Sequence, residues 1–151
     1  QRMKSIRFET GYKTFSINDD PDRTISFNPT DADIVQRFAK AIKELQSEKE
    51  TMADIQLNPD GTAAINDMSS LEEASATLEK FNDLIKQKLN YIFNSDVYDV
   101  VFAGQSPFSI VGKDHKLLFE AFLEAAFEMV NEEVGAATQS RIGKYTDKYK
   151  K

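Results

Sequence analysis

The sequence predicts an α+β domain, mostly α, in which an N-terminal antiparallel β-hairpin packs on about three helices. Three observations carry this prediction. Apolar residues alternate with a period of two before Pro29 and recur every three or four residues after it. In FSINDDPDRTISF, residues 15–27, Phe-Ser-Ile is mirrored by Ile-Ser-Phe across a turn rich in Asp and Pro. The 151 residues have the length of one ordinary domain, long enough to bury a single core without staples. The expected domain spans residues 3–140, and a basic, flexible tail follows over 141–151. Gln1 and Arg2 precede Met3, which points to a natural start at Met3.

The hairpin is expected within residues 5–28. Phe15 and Ile17 share one strand face, Ile25 and Phe27 the other strand's, and Asn18 to Asp22 supply turn-forming side chains. Ile6 and Phe8 alternate in the same way, so SIRFET is expected to add a third strand, with Thr10 and Gly11 at the corner. Asn28, Pro29 and Thr30 end the strands, and Thr30 with Asp33 predicts a helix start. That helix runs over about 31–50 with Ile34, Val35, Phe38, Ala41, Ile42 and Leu45 in one stripe. A long connector with a turn at Asn58, Pro59, Asp60 and Gly61 follows. Ser69 or Ser70 is expected to cap a second helix over 70–94, with Glu72 and Glu73 in its first turn and Leu71, Leu78, Phe81, Ile85 and Ile92 along its stripe. A third helix is expected over 114–134. It is apolar around most of its circumference, so it must be central or shared with a partner, and Phe119, Phe122, Leu123 and Phe127 are expected to be mostly buried.

The net charge is −6, and its distribution narrows the function classes. Residues 31–140 carry nine basic and twenty acidic groups, whereas residues 141–151 carry five basic and one acidic. An acidic body offers no footprint for a phosphate backbone, which argues against nucleic-acid binding. No run of about 18 apolar residues predicts a membrane span, and no signal peptide is recognisable. The absence of cysteine removes disulfides and thiolate metal sites.

Candidate chemistry is sparse. Asn18, Asp19, Asp20 and Asp22 resemble calcium ligands, but the loop lacks the central glycine and the terminal glutamate of an EF-hand, and a hairpin turn explains them better. His115 is the sole histidine and lacks partners for a zinc site. Ser106 and Ser109 flank Pro107 without a nucleophile elbow. Gly104 and Gly112 are too far apart for a phosphate loop. Asp96 and Asp99 are explained by capping or turn formation. No catalytic residue, metal ligand or cofactor is therefore expected. What remains is DVYDVVFAGQSPFSIVG, residues 96–112, whose apolar content either fills the core between two helices or forms a protein-binding surface. The residues expected to build such a surface are Tyr98, Phe102, Phe108, Ile110, Phe119 and Phe122, and self-association would satisfy the same surface.

The succession of a hairpin, NPTDADIVQRFAKAIKEL, a long helix ending LNYIFNSDVYDVVFAG, then SPFSIVG and the aromatic LLFEAFLEAAFEMV resembles the small tail assembly chaperones of long-tailed bacteriophages and prophages, particularly those of Gram-positive hosts. The resemblance covers most of residues 3–134 and rests on order and texture. It implies a non-enzymatic protein of the bacterial host cytoplasm that binds the tape measure protein, keeps that long apolar helical chain soluble and helps recruit tail tube subunits. It also implies, as in many such families, a longer product made by programmed frameshifting. The competing expectations are a structural tail tube or head-tail connector subunit, and a small enzyme or ligand-binding domain whose site is scattered in sequence.

Overall fold

The computed structural model describes residues 2–52 and 68–149, excepting the side chains of 49–52, 69, 70 and 142–149. The chain is α+β and mostly helical. In order it forms β1 (Lys13–Ile17), β2 (Asp20–Phe27), α1 (Asp33–Met52), α2 (Met68–Phe93), the short α3 (Tyr98–Phe102), β3 (Ile110–Val111), β4 (Lys116–Leu117) and α4 (Leu118–Tyr149).

β1 and β2 are the expected antiparallel hairpin. Asn18 and Asp19 form its two-residue turn with φ of 51° and 62°, the left-handed backbone that a primed turn requires and that Asn and Asp tolerate. Phe15 pairs with Ile25, but the register breaks between Ser16 and Ile17, leaving Pro21, Asp22 and Arg23 as a bulge on β2. The inward face carries buried Ile25 and Phe27 beside half-buried Phe15 and Ile17. The third strand expected from SIRFET does not form: Ile6 and Phe8 stand in solvent. The reason is local. Gly11 turns the chain with φ of 77°, and Asn28 Nδ2 donates to the Thr10 carbonyl at 3.2 Å, which holds residues 2–10 away from β1.

At the entry to α1, the Asp31 carboxylate accepts the Asp33 backbone N–H at 2.9 Å. The side chain that caps this helix is thus Asp31 rather than Thr30. Ile34, Phe38, Ala41 and Leu45 are buried against α2, whereas Val35 and Ile42, on the edge of the same stripe, are exposed. The connector and its turn at Asn58–Gly61 lie outside the described residues, as do the Ser69 and Ser70 side chains expected to cap the second helix. Because α2 starts at Met68, Glu72 and Glu73 fall beyond its first turn. Ile85, Leu89, Ile92 and Phe93 form the central wall of the core, and Phe81, also buried, stands edge-on to Phe108.

Asn90 builds the exit from α2. Its Oδ1 accepts the backbone N–H groups of Val97 at 2.8 Å and Tyr98 at 3.1 Å, which satisfies the free donors at the start of α3. Beyond α3, a small hairpin precedes the last helix: Ile110 pairs with Leu117 and Val111 with Lys116. His115 lies in its turn with φ of 54°, not at the start of a helix, and α4 begins at Leu118 instead of near residue 114. α4 then continues through the basic end, where a flexible tail was expected, to Tyr149. It buries Phe119, Leu123, Ala126 and Val130; Phe127, half a turn of the helix away from the groove-lining residues, is 42% exposed, contrary to expectation, with its ring edge-on to Phe38 at 5.9 Å.

Candidate protein-binding groove

Residues 96–112 are divided between core and surface: eight of the seventeen are exposed, but the larger apolar side chains turn inward. Val97, Val101, Phe102 and Pro107 are buried, so the stretch fills the space between α2 and α4. Two arginines fasten the surrounding elements. Arg23 on β2 donates from Nε to the Val100 carbonyl at 3.1 Å and from Nη2 to the Val101 carbonyl at 2.6 Å, satisfying acceptors at the end of α3. Arg37 donates to the Ile92 carbonyl at 2.9 Å and to the Asp31 carboxylate at 2.9 Å. The Arg37 bond and the Asp33 backbone N–H hold the Asp31 carboxyl below its ordinary value of 3.8.

The six residues expected to form one binding surface are divided by the fold. Phe102 is 1% exposed and Phe119 9%; both are core residues, because α3 lies under the hairpin and that face of α4 packs inward, and neither can serve as an exposed anchor. Phe108 is half-buried, with its ring 5.6 Å from Phe119 and 6.3 Å from Phe81. Tyr98 is half-buried with its ring 5.0 Å from Phe102, and burial, then the Asp99 and Asp83 charges, pushes its phenol above the ordinary range. Ile110 is exposed on β3, where it pairs with Leu117. Phe122 is half-buried and lines a concave site.

That site is an apolar groove of about 270 Å³ between the hairpin and α4. The hairpin contributes Phe15, Ile17, Ile25 and Phe27, and α4 contributes Leu118, Ala121, Phe122, Ala125, Ala126 and Met129. Val101 forms part of the floor, and Ser16 and Asn18 are the polar lining residues. The α4 positions recur at three and four residues, so they form a second stripe beside the buried one at Phe119, Leu123, Ala126 and Val130. Two stripes make the helix apolar nearly all round, and only one is covered. Past Met129 the groove stripe becomes acidic at Glu132 and Glu133, and Lys13 bridges β1 to Glu133 at 2.6 Å. Asp19 and Asp20 follow Asn18 at the hairpin turn.

Sequence reasoning found Phe122 but missed Phe15, Ile17, Ala125 and Met129 as a shared surface. The available signal was the width of the apolar face of α4 together with the inward alternation of the hairpin. A second depression of about 530 Å³ follows α2 at Leu71, Ala74, Leu78 and Asn82, all from one helix, so it is an open helix face rather than an enclosed site. Among the described residues no three of His, Asp and Glu converge where a metal ion would be held, and no helix is long and apolar enough to cross a membrane. No protein-family model, curated protein or solved structure matches the chain.

Proposed function

We propose that the protein is a non-enzymatic tail assembly chaperone of the long-tailed phage type. It acts in the bacterial host cytoplasm, holds an apolar helical segment of the tape measure protein and helps recruit tail tube subunits. The observation that carries this reading is the groove between the hairpin and α4: ten apolar side chains from two elements line it, and acidic residues stand at its ends. An amphipathic helix binds such a groove by inserting side chains spaced at three and four residues. The acidic body keeps the complex soluble. Only Ser16 and Asn18 interrupt the apolar lining, which favours a binding surface over a reaction site, where convergent polar groups are needed.

The alternative of a tail tube or connector subunit requires sheet edges for ring contacts. The described strands have 5, 8, 2 and 2 residues, little edge for that purpose, so the chaperone reading is preferred. Co-expression tests it. The chain should keep a tape measure protein soluble and be retained with it on pull-down, and Ala125→Asp or Met129→Asp should abolish both while leaving the far-UV circular dichroism unchanged. Retention of neither tape measure nor tail tube protein by the folded chain would sink the proposal, as would full rescue by both variants.

A further inference from the structure

The second half of α4 has little to pack on within its own chain. The helix has 32 residues and is about 48 Å long, yet Val130 is the last buried residue among those described, and every residue over 134–141 is exposed. Roughly four turns follow Glu133. The packed half supplies their helical nucleus, but Gly135 and Gly143 each cost about 1 kcal/mol relative to alanine, and a helical segment of about 15 residues is marginal in water without a packed face. Among the described residues nothing stands within 4 Å of the point that a Cβ on Gly135 would occupy, so the body of the domain does not require a glycine there.

This half carries a stripe of its own. Phe127, Asn131, Val134 and Thr138 recur at three and four residues, and the sequence keeps the same spacing at Ile142, Tyr145 and Tyr149. Phe127 is 42% exposed and Val134 39%. The stripe runs about half a turn away from the groove positions Leu118, Ala121, Phe122, Ala125 and Met129. Along its axis the helix is also divided by charge. Residues 118–133 include five acidic and no basic residues, and residues 141–149 three basic and one acidic.

We propose that this stripe pairs with itself in a second copy of the chain, the two α4 helices running antiparallel about a two-fold axis at Thr138. In that register Phe127 lies level with Tyr149 of the second copy, Asn131 with Tyr145, Val134 with Ile142, and Thr138 with its own equivalent. Glu128 then stands level with Lys148 and Glu132 with Lys144, whereas parallel helices would set acid beside acid and base beside base. One helix thus carries both halves of the charge match, which makes a second copy the occupant. Gly135 and Ala137, which flank the stripe at its middle, are small enough for the helix axes to approach within about 8–10 Å. The four tyrosines of the two copies bury on the order of 600–1,000 Å²; Phe127, Val134 and Ile142 bring the total to about the 1,200 Å² of a specific interface. The groove faces the other way and stays open in both copies, so the dimer does not depend on what the groove binds.

Light scattering on the eluted full chain reads the stoichiometry. The expected mass is twice that of the chain, and Val134→Asp, an exposed position whose change leaves the body folded, should halve it. Lys144→Glu with Lys148→Glu should also give a monomer, and adding Glu128→Lys and Glu132→Lys to the same chain should restore the dimer, because the complementarity is then rebuilt with its signs exchanged. Direction and register are read by cross-linking. The chain has no cysteine, so under mild oxidation Thr138→Cys should join two chains at the two-fold axis, while Ser140→Cys, on the opposite face of the helix, should not. A monomer at every concentration, a dimer that survives Val134→Asp, no restoration by the four-fold charge exchange, or cross-linking at position 140 as efficient as at 138 would each overturn the proposal. None of these readouts involves a tail protein, so failure of the dimer and failure of the chaperone reading are separate results.

Discussion

Replacing Phe93 with alanine should be among the most damaging single changes in the chain. Phe93 is 1% exposed at the end of α2, and its ring meets three others: Phe27 at 4.9 Å, Phe38 at 5.7 Å and Phe122 at 5.6 Å. It thus joins β2, α1 and α4 to α2. Removing a buried phenyl ring costs about 3–5 kcal/mol. Each aromatic pair adds about 0.5–1.5 kcal/mol beyond burial, and three pairs place the variant near the top of that range, about 5 kcal/mol. For a domain of this length such a loss lowers the melting temperature by about 10–20 °C and consumes much of an ordinary stability of about 5–15 kcal/mol. Urea unfolding followed by far-UV circular dichroism measures it, with Phe127→Ala as the control. Phe127 is 42% exposed and has one ring neighbour, so its loss should cost less than about 2 kcal/mol. If the two variants melt alike, or Phe93→Ala costs under about 1 kcal/mol, the central aromatic packing described above is wrong.

Arg23→Ala should cost about 1–3 kcal/mol, since it leaves the Val100 and Val101 carbonyls without a charged donor; an unchanged urea midpoint would refute the capping role. Asp31 has a depressed pKa in the folded chain because of Arg37 and the Asp33 N–H. Its contribution is therefore present above the unfolded value of 3.8 and is lost as pH falls below it through the lower folded value. Asp31→Asn should lower stability at neutral pH and flatten the acid limb of a stability–pH curve; identical limbs in the two proteins would remove the assignment.

What the sequence determines by itself is local. The mirrored Phe-Ser-Ile and Ile-Ser-Phe segments and the Asn-Asp pair specify the hairpin, because turn chemistry and strand alternation are short-range properties. The stripes at Ile34, Phe38, Ala41 and Leu45, and at Phe81, Ile85, Leu89 and Ile92, specify two helices and their inward faces for the same reason. The β3–β4 hairpin was illegible: strands of two residues are too short to display a period, and it placed His115 in a turn and delayed the last helix by a few residues. The exposure of individual aromatics was equally illegible. Phe102 and Phe127 look alike in apolar helical surroundings, yet one is covered by the hairpin and α4 while the other remains half in solvent. Arg23 and Arg37 find their acceptors 78 and 55 residues further along the chain, distances over which no pattern of spacing extends. The groove belongs to this second kind of information, because α4 has two apolar stripes and either would satisfy a helix in isolation. Only the packing of α2, α3 and the hairpin decides which stripe is buried and which is left open.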